Sequence, residues 1–301
     1  MGKKTKLAVA IAAASAAAWA GSKAVAKPHK RENKDILSNT NPFILAQLGG
    51  AQLAPAQSAQ AFELSNDLGV DGFTVSVRLT KDEEIILYEH ESIENTSNGV
   101  GYIKDLTLAE INEYNHGEHF VSLDGEKSFI NETVSILTLR DILQTYPEKF
   151  FLIDLKDGPD TYEGSLMPSK IWRLIEELNA QNRVILTSDY SEQLDRFNLY
   201  AQNSVALGGN ESHTKKVIAT FTSQFGHLYN PKVDVFQVPV KSALFNFESA
   251  RFIQFLTNLN VSILFKDLND LASMSRILKS GAKGIITERP DLAKILIDNR
   301  A

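Results

Sequence analysis

The sequence predicts an α/β chain folded as one closed (β/α)8 barrel, a TIM barrel, and three observations carry that expectation. Its 301 residues lie near the length typical of such a barrel. From residue 43 onward, eight short runs rich in apolar and β-branched residues recur along the chain. Segments of helical period separate them, and that alternation is the pattern of repeated βα units around a parallel sheet.

Taken in order, the chain opens on Lys3, Lys4 and Lys6 and runs into an Ala-rich apolar stretch, 7–20. The stretch has the length of a signal-peptide core and falls short of the roughly 20 residues that a spanning helix needs. Small-x-small sites at Ala18-Trp19-Ala20 and Ala24-Val25-Ala26 allow cleavage, whereas Lys27, Lys30 and Arg31 beyond them could retain the segment as an anchor. Residues 1–34 are thus expected to be a signal peptide or membrane anchor that puts the protein outside the cytoplasm or on a membrane. An Ala-rich helix on a cytoplasmic protein is the alternative. Residues 35–301 form the barrel.

The eight expected strands are 43–49, 72–79, 150–156, 183–188, 204–209, 233–240, 261–266 and 284–287. The helices between them show an apolar stripe. In 169–180, for example, Ile171, Leu174, Ile175 and Leu178 fall at i, i+3, i+4 and i+7. The interval 91–134, after the second strand, is polar and Gly- and Asn-bearing and too long for a simple βα loop, so it reads as a small insertion at the barrel mouth.

Composition narrows the function. With 43% hydrophobic residues, 9 Pro and 17 Gly, the chain can fill a core, which argues against disorder. The absence of cysteine excludes disulfides, thiolate metal sites and a cysteine nucleophile. Eight Lys and Arg against Glu32 give residues 1–34 a net +7, leaving −13 for the rest of a chain whose total is −6. So acidic a body argues against nucleic acid as a partner, because phosphate-backbone binding rests on clustered Lys and Arg. A small phosphorylated ligand stays open.

The stretch that begins ILAQLGG at Ile44 and continues through GFTVSVRLTKDE at Gly72 resembles the opening of glycerophosphodiester phosphodiesterases. Further on, FFLIDLKDG at Phe150 is similar to that family's I-E-I-K strand, and GAKGIITERP at Gly281 to the segment that closes its barrels. The resemblance covers nearly all of residues 43–298. It implies a (β/α)8 barrel, hydrolysis of glycerophosphodiesters in lipid and glycerol metabolism, a Ca²⁺ or Mg²⁺ ion, and a small phosphodiester or polyol-phosphate ligand.

Matched residue by residue, the resemblance puts Gln47 and Leu48 where the family has its catalytic His and Arg, and Glu89 where it has a second His. Thr74 and Ser76 match two carboxylate metal ligands, and Asp154 matches a Glu. Lys156 is retained. Glutamine does not titrate and leucine carries no charge for a phosphate oxygen. Neutral hydroxyls in place of two carboxylates should remove most of the affinity for a divalent ion, so no cofactor is expected unless the site still holds Ca²⁺ or Mg²⁺. A one-residue shift would bring His90 to the position of Glu89, at the cost of turning the strand's faces over.

These departures lead to the expectation of a catalytically impaired member, a pseudoenzyme, that binds a ligand or partner at the barrel mouth. The alternative is an active phosphoric diester hydrolase rebuilt around Asp154, Lys156, Glu89 and His90. A structural spacer is a third reading. Asp154 and Lys156 either hold an ion or pair with each other, and of Glu89 and His90 one is expected to face solvent. His116 and His119 have ligand-like spacing but are expected on a surface loop. Gly208-Gly209-Asn210 reads as the turn before a helix, with a phosphate cradle as the alternative.

Overall fold

Along each of the eight expected runs, successive side chains alternate between barrel interior and helix layer, as period-two geometry requires. The structure, a computed structural model, describes residues 2, 5, 17–26, 29–38, 41–240, 242 and 245–299. Most of the apolar stretch 7–20, the expected signal-peptide core, lies outside the described residues.

The strands are β1 (Phe43–Gln47), β2 (Gly72–Leu79), β3 (Ile85–Leu87), β4 (Phe150–Leu155) and β5 (Val184–Ser188), followed by β6 (Ala206–Gly209), β7 (Val235–Pro239), β8 (Ser262–Lys266) and β9 (Gly284–Thr287). Eight of them pair in parallel in the order β1-β9-β8-β7-β6-β5-β4-β2, and a β1–β2 pairing closes the ring. The short β3 is an addition to the eight expected strands. It pairs antiparallel with β2, Val77 opposite Leu87, and starts the insertion.

Phe43, Leu45, Leu152, Ile185, Val235, Leu264 and Ile286 point inward and pack as one buried cluster in the lower barrel. Their neighbours Ile44, Ala46, Ile153, Leu186 and Phe236 point outward into the larger cluster under the helices. Full burial of each such Leu, Ile or Phe contributes about 1.5–3 kcal/mol. Phe43 and Phe150 pack against each other in a tilted arrangement at the barrel base, 4.8 Å between ring centroids. The strands beside them come so close that a Cβ on Gly72 would lie 2.1 Å from the Phe150 carbonyl oxygen. Only glycine fits there.

Eight main helices cover the ring: α1 (Ala59–Asp67), α2 (Leu139–Thr145), α3 (Tyr162–Glu177) and α4 (Ser191–Ala201), then α5 (Glu211–Thr222), α6 (Ala250–Thr257), α7 (Leu271–Leu278) and α8 (Pro290–Asp298). The helix expected from residue 169 begins at Tyr162, and Pro168 sits inside it. Proline removes the N–H that would bond the Gly164 carbonyl. Gln193 of α4, fully buried, donates its Nε2–H to that carbonyl at 2.9 Å, which lets the helix run through the proline.

The insertion has its own small core of Ile86, Tyr88, Ile93, Ile103, Ile111 and Ile136. His116 belongs to it, which corrects the surface-loop expectation for this residue: it is 5% exposed. Its Nε2 lies 2.9 Å from the Ile111 carbonyl and its Nδ1 3.0 Å from the Thr96 hydroxyl. A carbonyl can only accept, so Nε2 carries the proton and Nδ1 accepts from Thr96. Burial holds the ring below the ordinary histidine range, against the pull of the Ile111 carbonyl. His119 is exposed, as expected.

Below the base, residues 31–37 seal the interior, with Ile36 against the lower cluster. Arg31 reaches the buried Asp234 just before β7, its Nε at 2.7 Å and its Nη2 at 3.0 Å from the two carboxylate oxygens. Lys34 bonds the Asn203 carbonyl. Further back, the Trp19 indole N–H donates to the Gln224 carbonyl and Ser22 bonds His227. The N-terminal segment therefore leaves the barrel from its base. No helix among the described residues is long and apolar enough to cross a membrane.

Candidate functional site at the barrel mouth

At the C-terminal ends of the strands the inward positions change from apolar to polar. Gln47 continues the Phe43, Leu45 face of β1; Thr74 and Ser76 follow Gly72; Asp154 and Lys156 follow Leu152; Thr187 follows Ile185; Gln237 follows Val235. Together they line a pocket of about 550 Å³ with Leu152 and Ile286 at its floor. Ligand sites in this fold are built at this face. The parallel register sets the neighbours: Gln47 lies beside Thr74, and Ser76, Asp154 and Thr187 form one row across β2, β4 and β5.

Asp154 and Lys156 point to the same side because they are two residues apart, and they pair at 2.6 Å. Burial pushes the Asp154 carboxyl above the ordinary carboxylate range, against the Lys156 ammonium. For Lys156 burial acts downward, and the Asp154, Asp189 and Glu89 carboxylates outweigh it and hold the ammonium above the ordinary lysine range. Its charge is thus secure at neutral pH and already engaged.

A linkage prediction follows for Lys156→Met. Without the ammonium the Asp154 carboxyl rises further above its unfolded value, so the folded state keeps a proton that the unfolded chain has released. The stability of the variant relative to wild type should then fall as pH climbs above the ordinary carboxylate range, because stability drops wherever the folded state binds more protons. Melting temperatures across that rise in pH test it, and a pH-independent difference would contradict it.

Leu48 takes a left-handed conformation, φ +48°, at the start of the turn through Gly49 and Gly50, and its N–H donates to the Thr74 hydroxyl at 3.1 Å. Such a backbone costs a non-glycine residue roughly 1–2 kcal/mol. Glu89 lines the mouth, while His90 is exposed and lies off it in the small crevice with Tyr88 and Thr96. The structure thus brings seven of the expected site positions to one pocket, Gln47, Leu48, Thr74, Ser76, Glu89, Asp154 and Lys156, and leaves His90 outside it.

Asn210 caps α5, accepting from the His213 N–H at 3.2 Å and donating to the Ser191 hydroxyl at 2.8 Å, so this residue serves the turn. Reading the sequence for motifs missed Thr187, Asp189, Gln237, Lys266 and Asp267, all of which line the mouth. Each lies at or just beyond the C-terminal end of a strand, and that position was the available signal.

Strand order, closure and a polar pocket at the carboxyl ends of the strands define a (β/α)8 barrel with its ligand site at the usual face. Within that class, the chain belongs to the glycerophosphoryl diester phosphodiesterase family, whose model matches residues 49–292. It is 28% identical over 258 residues to a glycerophosphodiester phosphodiesterase of Caldanaerobacter subterraneus subsp. tengcongensis, covering 83% of this chain and 95% of that protein. A glycerophosphodiester phosphodiesterase of Bacillus subtilis is 25% identical over 266 residues, covering 86% of this chain and 87% of its own.

The fold is shared with solved structures. The glycerophosphoryl diester phosphodiesterase domain of a Mycobacterium tuberculosis protein superposes with a TM-score of 0.72 at 15% identity, over 85% of this chain and 99% of that one. An Oleispira antarctica phosphodiesterase, solved in complex with the product sn-glycerol-3-phosphate, superposes at 0.65 with 16% identity, over 86% and 97%.

Proposed function

We propose that this family member binds a small polar ligand at the barrel mouth and does not hydrolyse glycerophosphodiesters. The observation that carries the reading is the chemistry of the mouth itself. Gln47 and Leu48 stand where the family resemblance places an acid/base and a phosphate-binding cation, and Thr74 and Ser76 where it places two anionic ligands. The deep ammonium that remains, Lys156, is held by Asp154 at 2.6 Å.

A divalent ion does not fit this donor set. Among the described residues no three His, Asp or Glu side chains converge on one point, and Asp154 shares its row with the neutral hydroxyls of Ser76 and Thr187. Hard cations take several oxygens, anionic ones among them. No step of the proposal therefore runs through a metal. The test is an assay for glycerol 3-phosphate release from glycerophosphocholine with and without Ca²⁺ or Mg²⁺, and ordinary turnover would reject the reading.

A second reading keeps hydrolysis, with a small phosphodiester or polyol-phosphate in a site rebuilt around Asp154, Lys156 and Glu89. The phosphodiesterase names of the relatives and the product complex of the Oleispira antarctica protein favour it. Lys156 would then stabilise the phosphoryl oxygens.

We also infer that the protein is exported or held at a membrane by its N-terminus. Lys3, Lys4 and Lys6 ahead of the apolar run 7–20 support this. Cell fractionation is expected to find the protein with membranes or outside the cell. Recovery wholly from the cytosol with an intact N-terminus would overturn it.

A further inference from the structure

We propose that the barrel mouth is a site for a phosphate-free polyhydroxyl compound, neutral or cationic, of the size of a sugar or amino sugar. The inference rests on the mouth being a binding site and names what it takes.

The first observation is a set of polar side chains that line the pocket without protein hydrogen-bond partners. Ser76 and Thr187 are 4% and 6% exposed, line the pocket, and their hydroxyls make no hydrogen bond among the described residues. The Gln47 Oε1 is buried without a partner. Thr74 accepts from the Leu48 N–H, which leaves its own proton to donate. Hydroxyls that open on a pocket take their hydrogen-bond partners from what enters it.

Hydroxyl and amide side chains both donate and accept, and ligand hydroxyls do the same. The ionised oxygens of a phosphodiester accept only, so a donor for the Gln47 oxygen comes from ligand hydroxyl or ammonium groups. Gly208 keeps the space open between two of these side chains: a Cβ there would lie 3.2 Å from the Thr187 hydroxyl and 3.4 Å from the Gln237 Nε2.

Charge is the second observation. Glu89, Asp154, Asp189, Glu211 and Asp267 line the mouth against Lys156 and Lys266. The excess of carboxylates repels a phosphate and accepts from hydroxyl or ammonium groups. A volume of about 550 Å³ suits a ligand of this size.

Calorimetric titration of the full chain with millimolar glycerol, glucose and glucosamine, beside glycerol 3-phosphate and inorganic phosphate at equal ionic strength, tests the proposal. At least one of the first three is expected to bind at a single site, and both phosphates at least about tenfold more weakly. Ser76→Ala with Thr187→Val should weaken that binding about tenfold or more, since partners lost from a buried polar site leave ligand groups unpaired. Gly208→Ala, which crowds Thr187 and the space beside it without removing a hydroxyl, should weaken it as well. Tighter binding of either phosphate, no binding of the three phosphate-free probes, or binding untouched by both variants would overturn the proposal. Hydrolysis of a glycerophosphodiester would reject the non-hydrolytic reading and leave these titrations to decide the ligand class.

Discussion

Incubated with glycerophosphocholine or glycerophosphoglycerol, the purified protein is expected to release glycerol 3-phosphate no faster than buffer does, with Ca²⁺ or Mg²⁺ in excess as without. General acid–base catalysis contributes typically about 10²–10⁴-fold and metal charge stabilisation several kcal/mol more. Gln47 cannot titrate, Leu48 cannot bind an oxyanion, and the hydroxyls of Thr74 and Ser76 are poor partners for a divalent ion. With these contributions absent together, little remains above background. Conversely, one variant carrying Gln47→His, Leu48→Arg, Thr74→Glu, Ser76→Asp and Glu89→His should gain metal-dependent hydrolysis, because all five positions face one pocket. Wild-type turnover in the ordinary range of about 1–10³ s⁻¹, lost in Asp154→Ala or Lys156→Ala, would instead show a working rebuilt site.

The barrel was legible because its strands carry two signals at once: short apolar runs, and helical stripes between them such as Ile171, Leu174, Ile175 and Leu178. β3 escaped because Ile85–Leu87 is only three residues long, set in the charged surroundings of Lys81, Asp82, Glu83 and Glu84. The start of α3 escaped because Pro168 marks a helix boundary in sequence, and only a distant partner, Gln193, supplies the donor that the proline lacks. His116 was misread for a related reason. Its burial depends on Thr96, Ile111 and a core of isoleucines scattered over some fifty residues, and no local pattern announces it.

At the mouth, motif matching reached the positions that align with the family's catalytic and metal-binding residues, and the Gly208-Gly209-Asn210 turn. Asp189 and Asp267 carry no motif, yet they tilt the pocket towards negative charge and thereby bear on which ligands can enter. Strand ends converge in a barrel whatever residues they carry, so the residue just past each expected strand is a site candidate by topology alone. Reading charge from that ring of positions, before any motif, would have found the acidic rim from the sequence.

Removing the Asp234 carboxylate is expected to be among the most destabilising single changes in this chain. The side chain is fully buried and accepts three hydrogen bonds, two from Arg31 and one, at 2.8 Å, from the Leu207 N–H at β6. Asp234→Ala strands the largely buried guanidinium and leaves that N–H without its acceptor. Breaking a buried pair from one side costs about 3–5 kcal/mol, because the surviving charge keeps its desolvation penalty and loses its partner. Arg31→Ala should cost a similar amount by leaving the carboxylate alone at the barrel base. Arg31→Met combined with Asp234→Leu, which removes both charges, should cost less than the sum of the two alanine variants, as coupled sites do. Denaturant titration measures these losses as shifts in midpoint. Limited proteolysis adds a local readout: with Arg31 released, the bonds that tie its backbone to Leu259 and Asn260 should open, and cleavage near residues 29–38 should come well before cleavage of the barrel. A cost under about 1 kcal/mol for Asp234→Ala, the range of an exposed pair, would mean that this ion pair does not hold the N-terminal segment to the base.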